Sequence, residues 1–334
     1  MRAIKHREFF TVTAYLGLHI LPNAPFQLKP SPGKGWGAFA TREIKIGELI
    51  LAEKPICAAS TYYGRLLPQE LQKAIDSITD ADMAQLSLLR DNTGKPFMAP
   101  QEAFMKNSFG TGTMGNLTLG LYLLQPRFNH SCVPNAIQCP GEDTTISRYA
   151  CKDIAPGEES IFCYDPSLHS LTKTERHERL GFICKCTCRE LAPPLQQVSN
   201  LRRRLYRGLR YLSQGKDIDG PTHMNSRRLI TNLALKKAAE NFELPISELF
   251  YYSTLAAVVA EEEGILDYTL AESIKEELSR YVIAFMTPRN MKVAKLAMMK
   301  TTWIVKLELA VSIRGQRDEF DAMYTMVRKG LARS

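Results

Sequence analysis

The apolar positions of this chain change period along its length. Phe26 to Pro32 is held extended by its prolines, and Gly33 to Ala40 opens into Glu43 to Glu53, which reads as a pair of short strands around a glycine turn. From Pro68 to about Leu89 the apolar spacing becomes helical through Leu71, Ile75, Ile78, Met83, Leu86 and Leu89, with a break near Asp80. Residues 144–154 alternate again as a strand. Pro156-Gly157-Glu158-Glu159 then turns the chain into Ser160 to Tyr164, so the pattern places Tyr164 on a strand. Glu8 to Ile20 fits either a short helix or a strand, docked on the domain that begins at Phe26.

Past Pro193-Pro194 the character is helical. Leu270, Ile274, Leu278, Val282 and Phe285 make one apolar stripe, and Leu296, Trp303, Leu307 and Ala310 make another, as in the core of a helical bundle. The pattern divides the chain into an N-terminal segment 1–25, a β-rich domain 26–170 with a helical insertion at about 56–106, a cysteine-bearing segment 171–192, and an α-helical domain 195–334. The fold class is α+β.

With 334 residues, 45% hydrophobic and 23% charged, the chain has the make-up of a folded globular protein rather than a disordered one. A net charge of +8 and a pI near 9.0 suit anionic partners, whether nucleic acid, an acidic protein surface or an anionic small molecule. No long Lys/Arg run accompanies that charge. The densest basic patch, Leu201-Arg202-Arg203-Arg204-Leu205-Tyr206-Arg207, interleaves Arg with Leu and Tyr. It reads as the solvated face of an amphipathic helix, with a phosphate-binding strip as the alternative.

Eight cysteines fall at 57, 132, 139, 151, 163, 184, 186 and 188, three of them at alternate positions. That spacing points to reduced thiols with a metal cluster rather than a disulfide framework. Thr11, Thr13 and His19 interrupt the apolar run behind Arg2, Lys5 and Arg7, which argues against a secretory signal. No apolar run approaches membrane-spanning length. The expectation is a cytosolic or nuclear protein with no membrane partner.

Candidate chemistry centres on Asn129-His130-Ser131-Cys132-Val133-Pro134-Asn135, a proline-stiffened turn dense in hydrogen-bonding and metal-ligating groups. Gly35-Trp36-Gly37, Asn107-Ser108-Phe109 and Gly120-Leu121-Tyr122 precede it. Gly157-Glu158-Glu159, Tyr164 and Cys184-x-Cys186 come after it. This ordered set, across residues 26–190, resembles the SET-domain family of S-adenosylmethionine-dependent lysine methyltransferases. It is most similar to the branch with a split SET domain, a post-SET cysteine segment and a helical C-terminal region. With only Cys57 in the region, the zinc finger that some relatives insert there is absent.

The resemblance implies a β-rich SET domain with knotted-type active-site segments and names roles. Gly35 and Gly37, with Lys34 and Trp36, would lie against the methionine end of the cofactor. Asn107, Asn129 and His130 would contact its polar groups, and Phe182 would stack on the adenine. Tyr164, seven positions after Gly157, would be the catalytic tyrosine and touch the cofactor as well. Cys132, Cys184 and Cys186 would hold a structural zinc. The family spacing puts the fourth ligand at Arg189, whereas this chain offers Cys188.

Two further departures stand beside the shifted cysteine. Pro126 replaces a family serine, and Leu180 replaces an aromatic that walls the lysine channel. The function implied is protein-lysine N-methylation of a histone or another protein. The alternative keeps the fold and cofactor binding in a small-molecule biosynthetic enzyme or a non-catalytic binding protein.

Overall fold

The protein is described from a computed structural model over residues 14–91, 94–112, 117–141, 143–184, 186, 192–214 and 249–266. It forms two compact units, Met1–His130 with Asn135–Phe162, and Ser131–Pro134 with Cys163–Ser334. The stripes at 270–310 lie outside the described residues.

The first unit is α+β and holds three small sheets. Strands β1 (Phe26–Ser31) and β2 (Gly35–Ala40) pair antiparallel from Phe26 opposite Ala40 to Ser31 opposite Gly35, and Gly33 takes a φ of 69° in the turn between them. β3 (Leu49–Glu53) comes next, and it is the only strand within the predicted Glu43–Glu53 segment. β4 (Cys57–Tyr62) and β5 (Arg65–Leu66) form a hairpin.

This hairpin is a strand pair at the start of the segment expected as a helical insertion at about 56–106, whose helices begin at Pro68. β4 alternates buried and exposed positions with the two-residue period of a strand, and it pairs along its length with β7 (Thr118–Leu121). The helices of the insertion are α1 (Pro68–Asp76), α2 (Asp80–Leu86) and α3 (Pro100–Asn107). The predicted break falls where Thr79 caps α2, its side chain accepting a 3.1 Å hydrogen bond from the Asp82 N–H. β6 (Ser108–Thr111) completes the sheet β5-β4-β7-β6.

The remaining strands are β8 (Asn129–His130), β9 (Ala136–Pro140), β10 (Ile146–Ala150) and β11 (Glu159–Phe162). They give the sheets β3-β10-β9 and β1-β2-β11-β8. β8 and β11 run parallel, with Asn129 opposite Ile161 and His130 opposite Phe162. So short a parallel pair needs reinforcement, and buried Asn135 supplies it. Its side-chain oxygen accepts from Ile161 N–H at 2.8 Å, its N–H donates to Ile161 O at 3.1 Å, and its Nδ2 donates to Glu159 O at 2.9 Å.

Beneath the strands lies one apolar core that includes Phe26, Ile44, Phe104, Leu121, Phe128 and Phe162. Tyr15 and Leu18 join it from the N-terminal segment, where Ala14–Gly17 is a single 3-10 turn. Arg148 is wholly buried there, with its guanidinium 3.8 Å from the Phe162 ring centroid and 4.5 Å from that of Phe128, and NH2 donating to Gln125 Oε1 at 2.8 Å.

The second unit contains the Ser131–Pro134 turn, a 3-10 turn at Pro166–Ser170, and helices α4 (Lys173–Leu180), α5 (Pro193–Gln214) and α6 (Leu249–Glu262). Thr172 and Glu175 form a capping box at the start of α4, and Gly181 ends that helix at φ 69°. Helices α5 and α6 pack together, burying Ala256, Ala257 and Ala260 on α6. The basic patch on α5 is solvated in part, with Arg204 exposed and Arg202 and Arg207 half-buried, and Arg203 is the exception. Arg203 is fully buried, drawn in by Glu263 at 2.9 Å.

Candidate functional site

In the first unit the predicted residues gather around a carboxylate. Asn129 Nδ2 donates to Glu159 Oε1 at 2.6 Å and to Trp36 O at 3.0 Å, and Lys34 Nζ pairs with Glu159 Oε2 at 2.8 Å. Glu159 reaches this point because β11 pairs with β2, placing Glu159 opposite Phe39. The two glycines serve different ends. Gly35 has a φ of +85° with open space around it, so it meets a backbone requirement. At Gly37 a Cβ would overlap Glu159 Oε1 and stand 2.9 Å from Asn129 Nδ2, so it meets a requirement for room.

The other candidates of this unit are held more deeply. Trp36 is 7% exposed and packs on Tyr15, ring centroids 5.3 Å apart. His130 is buried on β8. Asn107 ends α3 with Nδ2 donating to Ala103 O at 2.9 Å and Oδ1 accepting from Arg127, which itself donates to Tyr15 OH at 2.9 Å. The amide of Asn107 is thus engaged within the fold. Gly120 is there for packing, since a Cβ would stand 2.8 Å from Pro55 Cβ and 2.9 Å from the Tyr122 ring.

The serine-to-proline departure has a local reason. The Glu53 carboxylate accepts backbone N–H groups from Leu123, Leu124 and Gln125 at 2.8, 2.9 and 2.8 Å. Pro126 comes next, in the first turn of the 3-10 segment Gln125–Arg127, where a missing N–H costs little. Burial pushes the Glu53 pKa up, opposed by those N–H groups and by the charge of Arg127.

The second unit holds a cluster of thiols. Cys132, Cys184 and Cys186 are all buried, and Val133 and Leu180 pack against them. Cys132 Sγ and Cys184 Sγ lie within 4.8 Å of each other. The Cys132 pKa is driven far up by hydrogen bonding to Cys184 and Cys186 and by burial. For Cys184 the hydrogen bond from Cys132 acts downward, yet Cys186 and burial prevail and the pKa is raised. Three buried sulfurs packed together are a poor hydrophobic core and a good donor set for zinc, so these residues fit the implied metal. Cys188 lies outside the described residues.

Tyr164 falls two residues past the end of β11 rather than on the strand, because β11 stops at Phe162. It is 46% exposed, as is Phe182, which comes directly after the Gly181 cap. Leu180, the last residue of α4, turns towards the thiols.

A family profile described as "SET domain" matches residues 35–165. The chain carries a SET domain. It is 30% identical over 189 residues, 54% of this chain and 55% of that protein, to "Histone-lysine N-methyltransferase set5" of Schizosaccharomyces pombe. It is 27% identical over 222 residues to a "Methyltransferase" of Gibberella zeae, covering 49% of this chain and 30% of that one. A 74-residue stretch is 45% identical to "Protein-lysine N-trimethyltransferase SMYD5" of Danio rerio, 20% of this chain and 18% of that one. The chain spans about half, or less, of the length of these relatives.

The matched SET domain contains two groups whose part is not read from sequence. Glu159 stands in the Gly157-Glu158-Glu159 motif, where it looks like turn material, and only the pairing of β11 with β2 brings it to Lys34 and Asn129. Arg127, which fastens Asn107, comes after Pro126 with no pattern to mark it. A third, Tyr15, precedes the matched SET domain and still braces both Trp36 and Arg127. Among the described residues no helix is long and apolar enough to cross a membrane.

Proposed function

We propose that this chain is an S-adenosylmethionine-dependent protein-lysine N-methyltransferase. The observation that carries this reading is the SET-domain match over 35–165, inside which Asn129 donates to both Trp36 O and Glu159, and Lys34, just before the match, pairs with the same carboxylate. Two of these relatives are named as lysine methyltransferases, which supports the same reaction class. When bound, S-adenosylmethionine supplies an electrophilic methyl group on a sulfonium sulfur.

The chain's own residues must then hold that group and deliver a neutral amine to it. Gly35 leaves the backbone bare for close approach by the methionine end, and Gly37 makes room for the Glu159 carboxylate beside it. Lys34, Trp36 and the backbone of Asn129 and His130 would line the same stretch, while Asn107 fastens the end of α3 to Arg127. Phe182 offers an exposed ring for the adenine. A lysine amine has a pKa of about 10.4, so transfer requires surroundings that favour its deprotonated form. Tyr164 is 46% exposed, which leaves its ring accessible and suits a hydroxyl that orients the amine and the methyl carbon.

Cys132, Cys184 and Cys186 would hold a structural zinc, with Cys188 as the proposed fourth ligand. The site of action is proposed as cytoplasm or nucleus, in keeping with a cysteine spacing that suits reduced thiols rather than a disulfide framework. A second reading, turnover of a small molecule or binding without turnover, is favoured by one observation. Leu180 packs against the thiols and brings neither a hydroxyl nor a flat aromatic face to the position of the family's channel wall. Calorimetric titration with S-adenosylmethionine beside methyl transfer to histone peptides separates the two. Heat with no peptide methylation favours the second reading, and the absence of both overturns cofactor binding itself.

A further inference from the structure

The helical region after the cysteine segment contributes a side chain to the metal-binding turn. Arg203 of α5 is wholly buried, and its guanidinium is shared among four acceptors. Nε donates to Glu263 Oε1 at 2.9 Å, NH1 to Leu168 O at 3.3 Å and His169 O at 3.4 Å, and NH2 to Cys132 O at 3.1 Å. Glu263, just past the end of α6, is itself buried and also accepts from Ser199 Oγ. A buried guanidinium is costly unless its charge is paired and its N–H groups are used. Here the pairing comes from Glu263, just past α6, and the remaining N–H groups go to two backbone turns.

We propose that Arg203 is a positioning residue for the zinc ligand Cys132. Its planar fork fixes the Cys132 carbonyl in relation to the Pro166–Ser170 turn, and so fixes the direction in which the Cys132 sulfur leaves the backbone towards Cys184. A lysine could keep the charge opposite Glu263 but could not span the same acceptors. Zinc affinity therefore depends on a residue well beyond the matched SET domain. The inference rests on the reading of Cys132, Cys184 and Cys186 as zinc ligands.

The test measures zinc affinity by competition with a chromogenic chelator on the full chain, comparing wild type, Arg203→Lys, Glu263→Gln and Ala257→Gly. Ala257 is a buried α6 residue with no polar side chain, so its variant loosens the helix pair without touching the guanidinium. Arg203→Lys should weaken zinc binding by about 10- to 100-fold, the usual effect of losing an outer partner of a metal ligand. Glu263→Gln should weaken it less, and Ala257→Gly should leave it at the wild-type value at temperatures where it remains folded.

Wild-type affinity in both Arg203→Lys and Glu263→Gln would overturn the proposal, as would equal loss in Ala257→Gly. If Arg203→Lys fails to fold, Glu263→Gln decides alone. Wild-type protein that takes up no zinc would instead overturn the metal reading, and the proposal with it.

Discussion

Asn129 gives a side-chain N–H to Glu159 across 2.6 Å, and that bond occupies the space a side chain at position 37 would need. A glycine that the family resemblance assigns to close cofactor approach is therefore also demanded by the protein itself. The ion pair from Lys34 to the other oxygen of Glu159 makes the carboxylate the fixed point of this cluster.

Gly37→Ala should accordingly be the more damaging of the two glycine substitutions. The new methyl must displace Glu159 or Asn129, an overpacking cost of about 1–3 kcal/mol, and with it the arrangement of Lys34. Gly35→Ala meets open space and costs only the strain of a left-handed residue, about 1–2 kcal/mol. Calorimetry should show S-adenosylmethionine affinity falling at least tenfold further in Gly37→Ala than in Gly35→Ala. Equal affinities would mean that the Glu159 cluster has no bearing on the cofactor.

Metal removal is expected to act on the second unit. Elemental analysis of purified protein should find about one zinc per chain, and chelation or Cys184→Ser should lower the melting temperature and expose the amides around 184–186 to exchange. A folded, fully stable protein without metal contradicts this.

Helix α4 and the 3-10 turn before it should be sensitive to acid. Burial acts to raise the Asp165 pKa, but the hydroxyl and N–H of Ser167 and the Arg179 guanidinium at 3.0 Å outweigh it and hold the carboxyl below its ordinary 3.8. Glu175 is likewise held below its ordinary 4.5, chiefly by the Thr172 hydroxyl. Depressed folded-state values mean that both contribute stability above the ordinary carboxylate range and lose it as pH falls through the depressed values. The Asp165–Arg179 pair is partly exposed, so Asp165→Asn should cost only about 0.2–1 kcal/mol at pH 7. Thermal unfolding of the two proteins should converge at a pH below the depressed Asp165 value. A difference that persists there would place the effect of Asp165 in something other than its charge.

The helix break at Thr79 and the change to helical character at Pro193 were legible because each arises from local chemistry, a cap in one case and a proline start in the other. The β4–β5 hairpin was not. Cys57-Ala58-Ala59-Ser60-Thr61-Tyr62 has too little hydrophobic contrast to betray its two-residue period, and its strand character depends on pairing with residues 118–121. The end of β11 before Tyr164 was lost for a similar reason, since the partner β8 is only two residues long. At the candidate site the ordered motifs pointed to Lys34, Gly35, Gly37 and Asn129. Glu159 and Arg203 act through partners far along the chain, and no window of sequence can show that.

Tyr164 bears most directly on the reaction. It is half exposed and beyond its strand, so Tyr164→Phe should change stability by less than about 0.5 kcal/mol. The decisive measurement is transfer of a labelled methyl group from S-adenosylmethionine to histone peptides and to whole-cell extract, run with wild type and Tyr164→Phe side by side. The account predicts label on lysine with the wild type and a rate lower by roughly two to three orders of magnitude with the variant, cofactor affinity being unchanged. No labelled lysine in any substrate, or equal rates from the two proteins, would contradict it.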